Sequence, residues 1–322
     1  MTRAAWPLLG ALSATLVLWA SGFVAIRLAV REYPPEALAL LRFSVASLTL
    51  AAWVLLWPPA RVRLPARRDL PGLLLTGVIG ISVYHLALNA GEQTVSAGTA
   101  SLIVNLNPIF TALIAAAVLG ERLGGWGWLG VLIGFAGAAI LALAESGGFR
   151  IEAGAGLVLV AAASQAIYFV LQKPFLTRYR PLEATAYAVW LGTLCLAPFA
   201  PSVVRAMPAA AASTTLAAIY LGVFPGAVAY TTWAFVLSRL PAGRATSTLY
   251  LVPPLGAGDR VGRAGGEADG AGLAGWRGRA ERRGAGQRAR RAVACGGYLF
   301  RSASGLILRI ARRAPAAISS LI

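Results

Sequence analysis

Long apolar runs follow one another from near the N-terminus to about Leu255, joined by short polar segments. Each run is close to the ~20 residues that cross a bilayer's hydrocarbon core. Backbone in lipid must satisfy its own hydrogen bonds, so runs of this length are expected to be helices. The candidates are 8–30, 36–57, 70–90, 96–119, 126–145, 154–174, 183–201 and 213–236, with a ninth beginning at 242. Chain breakers occupy the joints: Pro34-Pro35, Pro58-Pro59, Gly124-Gly125, Gly147-Gly148 and Pro241. The first run is too long for a signal-peptide core, and no small-residue cleavage site ends it, so it is read as a permanent helix. The expected fold class is an all-α polytopic membrane protein.

Composition narrows the chemistry. Only 13% of the 322 residues are charged, against about 25% in a soluble domain. The net charge of +17 invites a nucleic-acid reading, but residues 256–322 alone hold 13 arginines and four acids. The remaining excess sits mostly in joints between apolar runs, where arginine sets membrane orientation instead. The partners expected are therefore the lipid bilayer and a small molecule, with no nucleic acid. Cys195 and Cys295 lie too far apart in the chain to argue a disulfide framework, and His85 is the only histidine. No metal, no cofactor and no catalytic constellation is expected, and the absence of a phosphate-binding glycine motif leaves ATP-driven pumping unsupported.

Alternate joints differ in charge. One set carries Arg61, Arg63, Arg67, Arg68, Lys173, Arg178, Arg180, Arg239 and Arg244; the other carries Arg31, Arg150 and Arg205. The positive-inside rule places the N-terminus in the cytoplasm of a cell with an inner membrane.

The chain also repeats itself. Gly77-Val78 matches Gly222-Val223, Ala97-Gly98 matches Ala242-Gly243 and Pro108 matches Pro253, all at an offset of 145 without a gap. Phe23-Val24-Ala25-Ile26 matches Tyr168-Phe169-Val170-Leu171 at the same offset. Five helices, an odd number, precede the second copy, so it is expected to be inverted. The units are 8–145 and 154–255, and inverted repeats of this kind place a solute site between the halves near the midplane.

Four stretches now carry a resemblance. They are Trp19-Ala-Ser-Gly-Phe-Val-Ala-Ile-Arg27; Pro35-Glu-Ala-Leu with Leu41-Arg42-Phe43; Ser96 to Pro108 continuing through Leu119-Gly-Glu-Arg122; and Ala242-Gly-Arg-Ala-Thr to Leu251-Val-Pro-Pro254. In order, spacing and duplication, residues 8–255 resemble the EamA domain of the drug/metabolite transporter superfamily. The resemblance implies ten helices in two inverted five-helix bundles, about eight and a half of them present here. It also implies secondary transport, with export of a small metabolite such as an amino acid or related compound. A polytopic membrane enzyme, or a membrane protein that transports nothing, is the competing class. An enzyme needs clustered acids, bases or metal ligands, and here the acids are scattered loop residues.

Residues 256–322 depart from the family in a Gly/Arg-rich tail, whose composition suggests disorder. A single-base slip near codons 254–257 explains it. Read one base later, Asp259-Arg260 permits Ile, Val261-Gly262 permits Trp, Gly266-Glu267 permits Glu, and Glu267-Ala268 forces Lys or Arg. With G/C-rich third positions the hidden text is Ile-Ala-Trp-Val-Ala-Leu-Gly-Glu-Arg-Pro-Thr, its Glu beginning 145 codons after Glu121. The chain as written is expected to lack half of its ninth helix and all of its tenth, and to transport poorly.

Polar residues inside apolar runs need a reason. Arg42 has two: snorkelling to the outer interface, the reading favoured by its position early in helix two, or pairing with an anionic substrate. His85 is either a hydrogen-bonded packing residue or a proton or substrate contact. Asn105 and Asn107 precede Pro108 in mid-helix four, where they bond across helices or line a cavity. Trp19, Ser21, Tyr84, Gln165, Tyr168, Tyr230 and Trp233 lie on helices one, three, six and eight, which by resemblance line the central cavity. Gly127, Gly130, Gly134 and Gly137 form a small-residue face on helix five, suited to close packing on helix ten or on a second subunit of a homodimer. Glu121 and Arg122 are expected to pair locally.

Overall fold

In a computed structural model of the chain, the described residues are 5–56, 62–95, 97–146 and 153–252. They are helical with no strands among them. Eight long helices follow in order: α1 (Ala5–Ala29), α2 (Pro35–Leu56), α3 (Arg67–Glu92), α4 (Thr99–Leu119), α5 (Gly125–Ser146), α6 (Ala155–Leu176), α7 (Pro181–Ala206) and α8 (Ala212–Arg239). A short α9 (Ala242–Ser247) runs on as a tight turn to Leu251. Seven of the long helices, all but α5, are long and apolar enough to span a membrane, and α5 adds a shorter apolar stretch over Gly125–Ile140. The tail from 256, with its frame reading, lies outside the described residues.

Most expected boundaries hold to within a few residues, and the largest extension has a local cause. The apolar run expected to end at 201 continues to Ala206, because Pro201 falls in the first turn of a new helical segment. Its missing N–H would be unsatisfied there anyway, so the chain bends and goes on. Pro108 uses the same device. α4 breaks at Asn105-Leu106 and restarts at Asn107, which puts the proline in a first turn rather than mid-helix.

α3 and α8 each contain a π-helical stretch, Val78–Val83 and Gly222–Val228. Wide turns of this kind free backbone groups and often mark functional positions. A glycine opens each one toward the partner helix. A Cβ on Gly77 would lie 2.5 Å from the Ala188 carbonyl oxygen on α7, and one on Gly222 would lie 2.5 Å from the Arg42 carbonyl oxygen on α2. Gly77 and Gly222, 145 apart, therefore make matching contacts with α7 and α2, whose starts at Pro181 and Pro35 are 146 apart. α2 and α7 also meet directly, through Ser47 Oγ and Thr193 Oγ1 at 2.9 Å and the Trp190 indole N–H donated to the Ser47 carbonyl at 3.1 Å.

The surface reverses the soluble pattern. Leu55, Leu56, Trp126 and Val204 are 71–87% exposed, while Arg42, Asp69, His85, Asn89 and Glu183 are buried. Lipid covers the first group, and the second must find partners inside. At one face of the bundle they do. Asp69 accepts hydrogen bonds from Arg178 Nη1 at 2.6 Å and Tyr179 Oη at 2.7 Å. Glu121, expected to pair with Arg122, instead takes Lys173 Nζ on α6 at 3.2 Å and accepts the Ala242 N–H at 2.6 Å. The left-handed Gly120 (φ 69°) ends α4 and turns Glu121 toward these partners rather than toward its neighbour. Lys173 also donates to the Leu240 carbonyl at 2.7 Å, so one ion pair ties α4, α6 and the start of α9 together.

Candidate functional site

Where α2, α3, α6 and α8 converge, a polar chain crosses the core. Arg42 Nη1 lies 3.3 Å from His85 Nδ1, and His85 Nε2 lies 3.0 Å from Tyr230 Oη. Arg42 is 3% exposed and His85 2%. The snorkelling expected of Arg42 does not occur: its side chain turns inward from α2 to the imidazole. A guanidinium can only donate, so Nδ1 must be the bare, accepting nitrogen. His85 is thus a neutral imidazole that carries its proton on Nε2 and donates it to Tyr230. Beyond Tyr230 lies the Gln165 carboxamide of α6, whose Oε1 has no partner among the described residues.

His85 and Tyr230 are separated in sequence by 145, the repeat offset. Their hydrogen bond is a direct side-chain link between α3 and α8.

Aromatic rings enclose this chain. Phe43 and Tyr84 each sit with ring centroids 4.5 Å from His85. Trp19 contacts Tyr230 at 5.7 Å, Trp233 at 5.4 Å and Phe169 at 6.2 Å, and Tyr168 lies 5.8 Å from Tyr230. Within the cage several polar atoms are buried without partners: Arg42 Nε, Gln165 Oε1, Tyr168 Oη and Trp233 Nε1. Each unmet group of this kind costs about 1–3 kcal/mol. Most buried polar groups in folded proteins are paired, and these four unpaired atoms fall in one region of the core.

Of the residues singled out in the sequence, Trp19, Arg42, Tyr84, His85, Gln165, Tyr168, Tyr230 and Trp233 come together here. The others do not. Ser21 bonds the Leu18 carbonyl and Tyr220 Oη at 2.6 Å. Asn105 donates to the Ser101 carbonyl one turn back, and Asn107 donates across to the Ala162 carbonyl of α6 at 3.3 Å. On α5 a Cβ at Gly134 would strike Tyr250, whereas Gly130 and Gly137 meet nothing within 4 Å among the described residues.

Two residues join the site that were not anticipated. Asn89 and Glu92 continue the His85 face of α3 at one and two turns' spacing. Asn89 Nδ2 donates to the Pro35 carbonyl at 3.0 Å, but its Oδ1 is buried and unpartnered, as are both carboxylate oxygens of Glu92. The only sequence signal for Glu92 was its spacing of seven from His85, beyond the expected helix end at 90.

The sequence profile of the EamA-like transporter family matches residues 5–143 and again 152–257. The chain belongs to that family. It is a multi-pass membrane transporter. It is 40% identical over 255 residues to a Streptantibioticus cattleyicolor protein described as "Probable terminal-alkyne amino-acid exporter", covering 79% of this chain and 83% of that one. It is 37% identical over 238 residues to the Bacillus subtilis "Uncharacterized transporter YdfC", covering 74% and 77%. A solved structure titled "Crystal structure of protein" shares the fold at a TM-score of 0.65 and 22% identity, over 82% of this chain and 89% of that one.

Proposed function

We propose that this transporter is a secondary exporter of an amino acid or a closely related metabolite. In this reading two oppositely oriented bundles, residues 8–145 and 154–255, hold the solute between them in an inner membrane, with the N-terminus cytoplasmic. The observation that carries it is the Arg42–His85–Tyr230 chain, which joins the bundles at matched positions and leaves Arg42 Nε unmet in an aromatic cage. A buried cation with spare donors suits a carboxylate-bearing solute. The Streptantibioticus relative, an exporter of an amino acid by its description, supports the same class. The exposed flank of α5 around Gly130 and Gly137 is where a second copy would pack. The two spans of family match, with the second ending at 257, support a tail that departs from the family just past that point.

The test is export from cells loaded through dipeptides, comparing the chain as written, a frame-restored gene and Arg42→Gln in each. Faster appearance of one or more amino acids outside cells carrying the restored gene, abolished by Arg42→Gln, is expected. Equal efflux with and without the restored gene across the twenty common amino acids and L-propargylglycine would remove the amino-acid reading. Single-cysteine labelling at Arg63 and at Glu32 tests orientation: Arg63→Cys must be shielded from an impermeant reagent added outside, and Glu32→Cys open to it.

A further inference from the structure

Arg42 on α2 is a base and Glu92 on α3 an acid, and their two helices are tied together by the Arg42–His85 contact and by Asn89 Nδ2 donating to the Pro35 carbonyl. Yet Arg42 and Glu92 do not pair. The ion pairs among the described residues are Lys173–Glu121, Arg178–Asp69 and Arg180–Glu183. Burying opposite charges near each other without contact is costly, because desolvation is suffered in full and the attraction is only partly recovered. The geometry that relieves it is an intervening group with a charge at each end.

The unmet atoms sort themselves by place. On the Arg42 side the orphan is a donor, Nε. On the α3 side the orphans are three acceptors, Asn89 Oδ1 with Glu92 Oε1 and Oε2. An ammonium group presents three N–H donors, and a carboxylate presents acceptors only. A simple anion would leave the α3 acceptors unmet. A simple cation would leave Arg42 unmet.

We propose that Arg42 and the Asn89–Glu92 face of α3 are the two poles of one zwitterion site, Arg42 taking the α-carboxylate of an amino acid and Glu92 with Asn89 taking its α-ammonium. This rests on the amino-acid reading above and deepens it: the free ammonium, not the side chain, is what Glu92 selects. Arg27 also acts on Glu92, but it is exposed and makes no ion pair with Glu92 within 4 Å, so it leaves both carboxylate oxygens unsatisfied.

The test is binding to the full chain in lipid nanodiscs, read by intrinsic tryptophan fluorescence. The probes are L-propargylglycine (zwitterion), its N-acetyl derivative (anion) and its methyl ester (cation). The zwitterion should bind at least about tenfold tighter than either single-charge form. Glu92→Gln should erase the advantage over the N-acetyl form, and Arg42→Gln the advantage over the ester. Equal binding of all three probes overturns the two-pole site while leaving an amino-acid-type ligand standing. Binding of none overturns both. A Glu92→Gln protein that keeps the unmutated ratios, and melts lower together with Arg27→Gln, makes Glu92 the counter-ion of Arg27 and ends the proposal. Where a variant does not fold, the three affinities of the unmutated chain decide.

Discussion

Replacing Tyr230 with phenylalanine removes one oxygen and nothing else. The ring keeps its neighbours Trp19, Phe43 and Tyr168, so no cavity opens. What is lost is the acceptor for His85 Nε2–H, 3.0 Å away, on an imidazole only 2% exposed. Because Arg42 occupies Nδ1 as a donor, the imidazole cannot turn its proton the other way without setting two donors against each other. The orphaned N–H should cost about 1–3 kcal/mol, a fall in melting midpoint of roughly 2–12 °C for a body of this size. In a His85→Phe background that donor is already gone, so Tyr230→Phe should there cost only what the Gln165 contact contributes. The coupling in that double-mutant cycle should equal most of the single-mutant penalty. Since His85 is the only histidine, ¹⁵N-histidine labelling gives one ring to observe, and it should show a bare Nδ1 and a protonated Nε2 at neutral pH. Additive melting shifts, or a proton found on Nδ1, would falsify the assignment of this chain and with it the direction of the polar thread.

Other outcomes follow from named contacts. Glu121→Ala should lower stability by about 1–2 kcal/mol, since it removes both the Lys173 ion pair and the acceptor for Ala242 N–H; a cysteine placed at Ser247 should label faster in that variant. Gly77→Val and Gly222→Val should each cost about 1–3 kcal/mol or abolish folding, because the added atoms meet backbone on the facing helix; thermal melts after detergent extraction read this, and tolerance at both positions would contradict the close crossing. Asp69→Asn should weaken the charge-assisted bonds from Arg178 and Tyr179 and destabilise by about 1–2 kcal/mol, measured the same way at low and high salt. Sequencing the gene from its source should show one base gained or lost near codons 254–257, and an unchanged frame there would dispose of the slip.

The helices were legible because the bilayer leaves little choice: an apolar run of about 20 residues has few ways other than a helix to satisfy its backbone in lipid. The convergence of Trp19, Tyr84, Tyr168, Tyr230 and Trp233 was expected through the resemblance alone, since a mid-span aromatic ring can equally anchor a helix at the interface. What the sequence hid was pairing. Arg42 sits close enough to the end of α2 that position alone favours the interface, and only the neighbouring helix decides whether the side chain goes up or in. Glu121 and Arg122 are adjacent, but the left-handed turn at Gly120 sends Glu121 to a lysine on another helix. The His85–Tyr230 contact was written in the numbers, as two polar residues one repeat offset apart. In a membrane the apolar surfaces of helices meet lipid as readily as each other, so shape and polar partners fix the arrangement. Glu92 departs from that rule. Its carboxylate oxygens are buried on the face of the one histidine with no hydrogen-bond partner among the described residues, which makes it the residue whose partner the solute should supply.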